Sequence, residues 1–486
     1  MLGVLHLLSQ ILGGLAFAML VPAAVALVTE DSRAAESFLI VAGLTGFFSG
    51  AIFFALKGRR WHLSRVGAVG LMIAAWALPP LLAAIPIATG ARVDYLSALF
   101  EAVSGYTTTG ATALPSIDLL GPSIVFWRAE LQWLGGLMAL FSIVIILAPI
   151  GVGGLTNQNV ALLGPAGEVG LSRSFATARN VSIAYAAATA VCFGLLVLGG
   201  VPAFDAVCIA FATVSTGGFM PHDSSLAVYT SAFAELVVMF FMLVGATSVV
   251  WHRMVLQGRW PLVLAHRESY WVIGVALLVG VAFAVAFAAP ESGLPDWPAA
   301  TTLRHGVFVG ISIVSTTGFE PWPGAIAALP VAAVAALGLI GGATMSTAGG
   351  IKFYRIGGMF VQSMDELRRL IYPHSVRSTH FGSQPYDIQL MKAIWTSSVV
   401  ALAVVAAATL LLTLNHPAFH GGALAAIAAF SNVGPLYSAE WDASLGWPDY
   451  AGFDPFSKLI MIVTMIVGRI EAVALLVLAS LAYWRS

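Results

Sequence analysis

The sequence predicts an all-α integral membrane protein built from four copies of one unit, in which two spanning helices flank a short apolar segment. Three observations predict this class. Of the 486 residues, 59% are hydrophobic and only 9% are charged, whereas soluble domains carry about 25% charged residues. Apolar runs of about 20 residues, the length that crosses a bilayer, recur along the chain. Four shorter apolar segments each end in a similar glycine-containing sequence.

The long apolar runs predict ten spanning helices. They lie at roughly 5–28, 38–56, 66–89, 124–150, 180–200, 229–251, 270–289, 326–372, 389–414 and 456–484. The run at 326–372 is too long for one crossing, so we expect it to be interrupted. The start of the chain lacks the basic residues of a signal peptide and predicts a retained helix. The shorter segments, at roughly 95–106, 203–214, 301–314 and 420–430, have the length of re-entrant segments.

The distribution of lysine and arginine predicts the orientation. Sixteen of the 22 basic side chains lie in one set of alternate loops or at the C-terminus: Lys57, Arg59, Arg60, Arg65, Arg173, Arg179, Arg253, Arg259, Arg267, Lys352, Arg355, Arg368, Arg369, Arg377, Lys392 and Arg485. Because basic residues favour cytoplasmic loops, both termini are predicted to be cytoplasmic and the short segments to open outward. Acidic residues on the outward side, among them Glu101, Asp205 and Asp223, are expected to be mostly solvated loop charges that attract cations.

Composition also excludes several classes of function. A net charge of −1 provides no basic patch for nucleic acid. The two cysteines, Cys192 and Cys208, form neither a disulfide framework nor a zinc motif. The spans carry no paired carboxylates, metal motif or nucleophile setting, so we do not expect an enzyme.

The four short segments end in one shared pattern, a small hydroxyl residue, then Thr or Asn, then any residue, then Gly. The copies are Thr107-Thr108-Thr109-Gly110, Ser215-Thr216-Gly217-Gly218, Ser315-Thr316-Thr317-Gly318 and Ser431-Asn432-Val433-Gly434. We call them filter segments 1 to 4. Successive glycines are separated by 108, 100 and 116 residues, an interval that holds one repeat.

This pattern is typical of a cation filter. A dehydrating cation needs a ring of oxygens, which backbone carbonyls supply in potassium filters. Glycine accepts the backbone angles that aim successive carbonyls one way, and hydroxyl or amide side chains add oxygens or brace the turn. Small residues also pack membrane helices closely. Four copies, each after a short apolar segment and on the same side, favour the filter interpretation.

The run at 326–372 breaks at a segment rich in glycine and small polar residues, which are poor helix formers. The segment contains Gly341, Gly342, Thr344, Met345, Ser346, Thr347, Gly349, Gly350 and Lys352. We call 341–352 the gate loop, because we expect a flexible intramembrane loop beneath the filter. A kink or an ordinary connection between two helices is the alternative.

Arg469 lies within the last apolar run. A charge at the centre of a membrane helix costs at least about 2.5–3.5 kcal/mol and usually faces an interior cavity. Pairing with Glu471 is disfavoured, because residues i and i+2 do not face each other on a helix. The segment from Arg128 to Gly136 is expected to pack a helix near filter segment 1.

Over nearly its whole length, the chain resembles the Trk/Ktr/HKT superfamily of potassium transporters, and most closely the Trk-type pore-forming subunit. The resemblance rests on the four filter segments, the gate loop, Arg469 and the segment from Arg128 to Gly136. It implies four fused span–pore-loop–span repeats around a central pore, with two extra N-terminal spans at 5–28 and 38–56. The two extra spans would occupy 1–60. Repeats 1 to 4 would then occupy 61–155, 156–262, 263–380 (with the interrupted second helix) and 381–486.

The resemblance also implies function. Filter glycines fall on Gly110, Gly218, Gly318 and Gly434, and Gly110 favours potassium because plant relatives with serine there carry sodium. The gate loop and Arg469 would obstruct the pore below the filter. No cofactor is implied beyond K⁺ ions in the filter. Implied partners are membrane lipid, a second copy in a homodimer and a cytosolic nucleotide-binding regulatory ring, which Arg368, Arg369 and Arg377 could meet. The implied location is the cytoplasmic (inner) membrane.

This sequence departs from the family's pattern at three positions, Ser431, Met345 and Ala348. Met345 could narrow the pore and Ala348 could stiffen the loop. Two alternatives remain open. One is a sodium-coupled or proton-coupled symporter that uses the same pore, and the other is a secondary transporter with broken helices around a midplane site. The second is disfavoured by a single predicted interruption.

Overall fold

The structure, a computed structural model, describes residues 2–59, 65–143, 171–290, 294–372, 380–381, 384–385, 388–415, 418–437 and 448–470. These residues are almost entirely helical. The α-helices are α1 (Leu2–Ala18), α2 (Leu20–Val28), α3 (Ser32–Leu56), α4 (Arg65–Ala91), α5 (Tyr95–Tyr106), α6 (Pro122–Phe141), α7 (Leu171–Leu198), α8 (Ala203–Val214), α9 (Ala232–Ala246), α10 (Val249–Leu256), α11 (Trp260–Ala265), α12 (Arg267–Phe287), α13 (Ala299–Val314), α14 (Val331–Gly338), α15 (Phe353–Ile371), α16 (Ile388–Thr413), α17 (Phe419–Ser431) and α18 (Pro455–Ile470).

The remaining regular structure is small. Two strands, β1 (His380–Phe381) and β2 (Gln384–Pro385), pair antiparallel with His380 opposite Pro385. Short 3₁₀ turns occupy Ser225–Tyr229, Gly434–Leu436 and Tyr450–Gly452. The all-α membrane fold predicted from the sequence is confirmed.

Six of the predicted spans appear as helices long and apolar enough to cross a membrane. Within the described residues these are Leu2–Val28, Ser32–Leu56, Val66–Ala91, Ala176–Leu198, Arg267–Phe287 and Leu390–Thr413. The spans predicted at 124–150 and 456–484 lie only partly within the described residues. Their described parts are α6 and α18.

The predicted continuous span at 229–251 is wrong. α9 ends at Ala246, α10 begins at Val249, and the two helices are bent by 105°. The chain breaks at Thr247, whose backbone is extended with φ −91° and ψ 162°. A second break, between α14 and α15, is the interruption predicted at 326–372. The described residues therefore contain interruptions in two neighbouring repeats, so a single interruption no longer disfavours the broken-helix transporter.

Each short helix packs against the span that precedes it. The pairs are α4 with α5, α7 with α8, α12 with α13, and α16 with α17. The α12–α13 pair is the closest, because a β-carbon at Gly310 would overlap the backbone of Gly280. Small residues at such crossings let membrane helices approach each other. The short helices α5, α8, α13 and α17 therefore form one part of each repeat, and we call them pore helices.

The first three helices lie outside this repeated pattern. α1 and α2 both pack against α3, and α1 and α3 also contact α4. Asp31 begins α3 by accepting a hydrogen bond of 3.1 Å from the backbone N–H of Ala34, the usual role of an N-cap carboxylate. These helices cover the first repeat on one side.

Candidate ion pathway

All four pore helices end in the same backbone turn. In each, the second residue of the filter segment has a positive φ: Thr108 52°, Thr216 54°, Thr316 59° and Asn432 55°. The next residue donates its N–H to the carbonyl five residues earlier, in the pairs Thr109–Ser104 (2.8 Å), Gly217–Ala212 (2.8 Å), Thr317–Ser312 (3.0 Å) and Val433–Ala428 (2.9 Å). This is the hydrogen bond of a Schellman turn.

A threonine in this turn is unusual, because the left-handed conformation is strained for β-branched side chains. Such strain persists only where the surroundings hold it, and it concentrates at functional sites. Here every residue of the filter segments is buried. Hydroxyl contacts brace the turns, with Thr107 Oγ1 and Thr109 Oγ1 2.8 Å apart and Ser315 Oγ and Thr317 Oγ1 also 2.8 Å apart.

The four filter segments form a closed ring. A β-carbon at Gly110 would overlap the carbonyl oxygen of Gly217, and one at Gly218 would overlap that of Thr317. At Gly318 it would lie 2.7 Å from Pro435, and at Gly434 it would overlap Ala111. Each segment thus touches the next in chain order, and the fourth returns to the first. The first three glycines also have positive φ values of 81°, 85° and 78°.

Filter segment 4 differs from the others. Gly434 has no positive φ and begins a 3₁₀ turn. Its N–H donates to the carbonyl oxygen of Thr109 at 2.6 Å. Asn432 Nδ2 donates to Thr109 Oγ1 and to the carbonyl oxygen of Met465, both at 3.0 Å. The asparagine therefore ties the fourth segment to the first and to α18.

The ring favours a cation electrostatically. The C-terminal end of a helix carries a partial negative charge, and the four pore helices direct their C-terminal ends into this ring. The ring is lined by buried backbone and by hydroxyl and amide side chains, which are oxygen-rich groups of the kind that replace a cation's water shell.

The segment from Arg128 to Gly136 was predicted only to pack a helix near filter segment 1. In the structure it also hydrogen-bonds to the ring. Gln132 Nε2 donates to the carbonyl oxygen of Gly217 at 2.6 Å, and its Oε1 accepts from Phe219 N at 3.1 Å. Arg128 Nε donates to Glu101 at 2.6 Å, and its guanidinium lies over the Phe219 ring at 4.1 Å. α6 of repeat 1 therefore holds filter segment 2.

The prediction that Glu101 is a solvated charge is wrong. Its side chain is fully buried and pairs with Arg128. It also accepts hydrogen bonds from Ala113 N at 2.9 Å and Thr112 Oγ1 at 3.1 Å. The ion pair fixes the chain just after filter segment 1. Sequence reasoning missed this pair because 27 residues separate its members.

The gate loop contacts filter segments 2, 3 and 4 directly. Thr347 Oγ1 is 3.3 Å from Thr216 Oγ1 and from the carbonyl oxygen of Val214. Gly349 N donates to Thr316 Oγ1 at 2.7 Å, and a β-carbon at Gly349 would overlap the carbonyl oxygen of Ser431. Contact with filter segment 1 is made through Arg469.

Arg469 bridges the gate loop and filter segment 1. Its Nε donates to the carbonyl oxygen of Thr107 at 2.6 Å. Nη1 donates to the carbonyl oxygens of Thr347 at 2.7 Å and Ala348 at 3.3 Å, and Nη2 donates to Thr108 Oγ1. Arg469 as a whole is 8% exposed. Its position places a positive charge against filter segment 1 and the gate loop.

The loop is anchored at both ends. Glu268 Oε1 accepts from Thr344 N at 2.7 Å, Thr344 Oγ1 at 2.8 Å and Tyr354 N at 3.1 Å. Gly341 N donates to the carbonyl oxygen of Ile351 at 2.9 Å, and Phe353 N to that of Gly342 at 3.2 Å. These bonds close the loop at its base.

The break after α9 seats the other side of the loop. Ala343 N donates to the carbonyl oxygen of Ala246 at 2.8 Å, Thr347 N to that of Gly245 at 3.1 Å, and Val249 N to that of Met345 at 2.8 Å. The two breaks share a sequence, Gly245-Ala246-Thr247 and Gly342-Ala343-Thr344. This internal repeat is the signal that would have located the break at 247–248.

The remaining gate-loop residues are also placed. Ser346 Oγ donates to the carbonyl oxygen of Ala343 at 2.6 Å. Gly350 takes a positive φ of 65°, and the buried Lys352 Nζ donates to the carbonyl oxygen of Ala348. Met345 is buried in the apolar cluster that also contains Val250 and Met254 of α10.

A small cavity of about 30 Å³ lies beneath Arg469. It is lined by Ser142 and Ile143 of repeat 1, Ser346, Gly349 and Lys352 of the loop, and Gly468 and Arg469 of α18. Among the described residues, the space beneath Arg469 is therefore narrow.

Histidine and carboxylates join repeats 1 and 2 on the side of the ring opposite the gate loop. His222 Nδ1 lies 2.8 Å from Asp118 and its Nε2 lies 3.3 Å from Asp205. Burial lowers the pKa of His222, but hydrogen bonds from its imidazole to the two carboxylates, together with their negative charge, outweigh burial and raise the pKa above its ordinary value. Asp223 accepts from Ser116 Oγ at 2.6 Å and Ile117 N at 3.0 Å.

Comparison with known proteins gives the family. The family model described as TrkH, cation transport protein, matches residues 71–259 and 256–485. The Trk system potassium uptake protein TrkH of Halomonas elongata is 30% identical over 501 residues, covering 99% of each chain. That of Salmonella typhimurium is 32% identical over 403 residues, covering 80% of this chain and 79% of its own.

A solved structure also matches. The crystal structure of the potassium transporter TrkH from Vibrio parahaemolyticus superposes with a TM-score of 0.86 at 25% identity, covering 100% of this chain and 99% of that chain. These relatives are transport proteins, and the chain is a multi-pass membrane protein rather than an enzyme. It belongs to the TrkH family of cation transport proteins.

Proposed function

We propose that the protein carries potassium into the cell through the ring of filter segments, and that the gate loop and Arg469 close this path from below. The observation that carries the proposal is the closed ring of four similar helix-terminal turns, with the gate loop against three of them and Arg469 against the first. The relatives named as potassium uptake proteins support potassium as the ion. K⁺ ions would occupy the filter segments as the transported species.

The ring supports a pore over a broken-helix carrier. Such carriers bind substrate between two interrupted helices at the midplane, and this fold does contain two breaks. However, the described parts of both breaks hydrogen-bond to each other, and the gate loop hydrogen-bonds to filter segments 2 and 3. The breaks therefore build the obstruction, whereas the ring supplies the oxygens.

The test is uptake of radioactive rubidium into proteoliposomes that contain the purified protein. A pore passes rubidium down its own gradient, with no second solute gradient. Strict dependence on a sodium or proton gradient would instead support the coupled symporter. The matched control is liposomes with a filter variant such as Gly318→Val, whose side chain would collide with Pro435.

We further propose an inner-membrane location with both termini cytoplasmic, supported by the basic residues of one set of loops. The described cysteines, Cys192 and Cys208, are both buried, so a single new cysteine reports topology cleanly. Leu119→Cys is expected to react with an impermeant thiol reagent from outside, and Gln257→Cys only after permeabilisation. The reverse pattern would overturn the orientation.

We also propose a homodimer and a cytosolic nucleotide-binding ring as partners. α15 supports the first, because it exposes Phe360, Met364, Leu367 and Ile371 along one side, and an unpartnered apolar face of this kind suits a second copy or the membrane interface. Arg368 and Arg369 are exposed but pair with Asp365 and Glu366. Arg377 lies outside the described residues. Cross-linking of Leu367→Cys between copies tests the dimer.

A further inference from the structure

A cavity of about 570 Å³ lies between α7 and the α9–α10 bend. Its lining is mainly apolar, with Val191, Phe240, Phe241 and Val244 among its residues. The volume is in the range of small-molecule binding sites, about 300–1,000 Å³. Several apolar residues of α7 and α9 near it are exposed on the surface of the helices, so the cavity faces the lipid.

One positively charged side chain that lines this cavity has a nitrogen with no hydrogen-bond acceptor among the described residues. Arg253 lines the cavity from α10, and its buried Nη1 has no hydrogen-bond partner within the part of the chain that the structure describes. A buried N–H of a charged group costs free energy when it has no acceptor, and such a group in a native structure usually contacts a ligand or a water molecule. For the Arg253 guanidinium, the best acceptor is an anionic oxygen.

The surroundings of Arg253 are those of a membrane–water interface. Trp260 is 59% exposed, Trp271 is 57% exposed and Leu256 is 82% exposed. Arg259 and Arg267 flank the short helix α11 and do not line the cavity. Exposed tryptophans sit at the headgroup level of a bilayer, so Arg253 lies near the depth of the lipid phosphates.

The inner end of the cavity reaches the gate. Val214, Gly245 and Thr347 all line it. Thr347 is the gate-loop residue that donates to the carbonyl oxygen of Gly245 at 3.0 Å. A molecule in the cavity therefore touches the loop on the side opposite Arg469.

We propose that this cavity binds an anionic phospholipid of the surrounding bilayer, with the phosphate at Arg253 and one acyl chain extending toward Thr347. A ligand that fits one arrangement of the protein shifts the population toward that arrangement. Because the cavity exists with the loop seated, the bound lipid favours the closed gate. This regulatory part rests on the proposed function, whereas the binding site does not.

Native mass spectrometry of the detergent-purified protein tests the site. Phosphatidylglycerol is added, with phosphatidylcholine as the neutral-headgroup probe. We expect preferential retention of phosphatidylglycerol, and Arg253→Gln is expected to weaken it roughly tenfold, the effect of losing one charge-assisted hydrogen bond. Arg259→Gln, which removes a nearby charge outside the cavity, is the matched control and retains the lipid.

A second variant keeps the test independent of charge. Ala188→Phe fills the cavity without touching Arg253 and is expected to reduce binding of phosphatidylglycerol as well. Elution of each variant as the wild-type species on size exclusion shows that it is folded. Equal retention of the two lipids by the wild type, or undiminished binding by both Arg253→Gln and Ala188→Phe, would overturn the site.

Flux then tests the regulatory part separately. In proteoliposomes, rubidium uptake is expected to fall as the phosphatidylglycerol fraction rises, and Arg253→Gln to remove this dependence while Arg259→Gln keeps it. Binding without any effect on flux would overturn the regulatory part and leave the lipid site standing. Absence of rubidium uptake under every lipid composition would count against the proposed function instead.

Discussion

Arg469 Nε donates a 2.6 Å hydrogen bond to the carbonyl oxygen of Thr107, which joins the last described helix to filter segment 1 across 362 residues of chain. The same guanidinium holds Thr347 of the gate loop. One side chain therefore fastens the gate loop to the ring and, under the proposed function, places a positive charge in the path of the cation.

Removal of this charge is expected to open the path. Arg469→Ala deletes four hydrogen bonds to the ring and the loop together with the electrostatic barrier. We expect higher rubidium uptake into proteoliposomes than for the wild type. Arg259→Ala, an exposed arginine outside the pathway, serves as the control. Unchanged or lower uptake by a well-folded Arg469→Ala protein would contradict the barrier.

Release of the gate loop without removal of a charge is also expected to raise rubidium uptake. Thr347→Val is nearly isosteric and removes the hydroxyl that contacts Gly245, Val214 and Thr216. Each lost hydrogen bond contributes about 0.5–1.5 kcal/mol to the seated state, so we expect uptake to rise severalfold.

The control for that variant is Thr409→Val, a buried threonine whose hydroxyl bonds only within its own helix, to Val405. It reproduces the substitution away from the pathway and is expected to leave uptake unchanged. Equal uptake by Thr347→Val and Thr409→Val would show that the hydroxyl contacts do not hold the gate.

The brace between α6 and filter segment 2 is expected to set ion discrimination. Gln132→Leu leaves the buried carbonyl of Gly217 and the N–H of Phe219 without their present partners, at a cost of about 1–3 kcal/mol for each group. We expect a lower melting temperature and weaker preference for potassium over sodium in rubidium competition. Met138→Leu, a volume-conserving change on the same helix, is the control. An unaltered preference for potassium in the Gln132→Leu protein would show that these hydrogen bonds do not set ion discrimination.

The His222 cluster is expected to make stability depend on pH. The folded pKa of His222 is raised above its ordinary value of 6.5, so the folded state favours the charged imidazole between Asp118 and Asp205. Its stabilisation is complete below about 6.5 and is lost as pH rises through the folded pKa. The ring of Tyr229 also lies near the His222 imidazole, 6.4 Å away between ring centroids, but the raised pKa of Tyr229 lies far above this window.

The measurement is the melting temperature of wild type and His222→Gln from pH 5 to 9. The difference between the two proteins is expected to be largest at the acidic end and to shrink as pH rises. A difference that grows with pH, or stays constant, would show that the ion pairs do not stabilise the folded state.

Much of this fold could be predicted because membrane helices are recognised by length and apolarity. The pore helices α5 and α8 begin and end where the short apolar segments do. The break at 247–248 was missed because the apolar run continues through it, and hydropathy does not report backbone direction. The turn is visible only through the repeated Gly-Ala-Thr at Gly245 and Gly342.

The side-chain partners were harder to infer. Glu101 was taken for a solvated charge because its partner, Arg128, lies on another helix, and a single sequence carries no record of contacts between helices. Gln132 likewise gave no signal beyond its family segment. By contrast, the four filter segments stood out because repetition along the chain is itself a signal, and the structure brings them into one ring. Their role as a potassium filter stays a prediction.

Rubidium competition in proteoliposomes tests the central claim most directly, that a potassium-selective path runs through the ring of filter segments. For the wild type, we expect external potassium to suppress rubidium uptake and sodium to suppress it far less. For Gly110→Ser, where a β-carbon meets the carbonyl oxygen of Gly217, we expect this preference to weaken. Equal suppression by potassium and sodium in the wild type would contradict the claim.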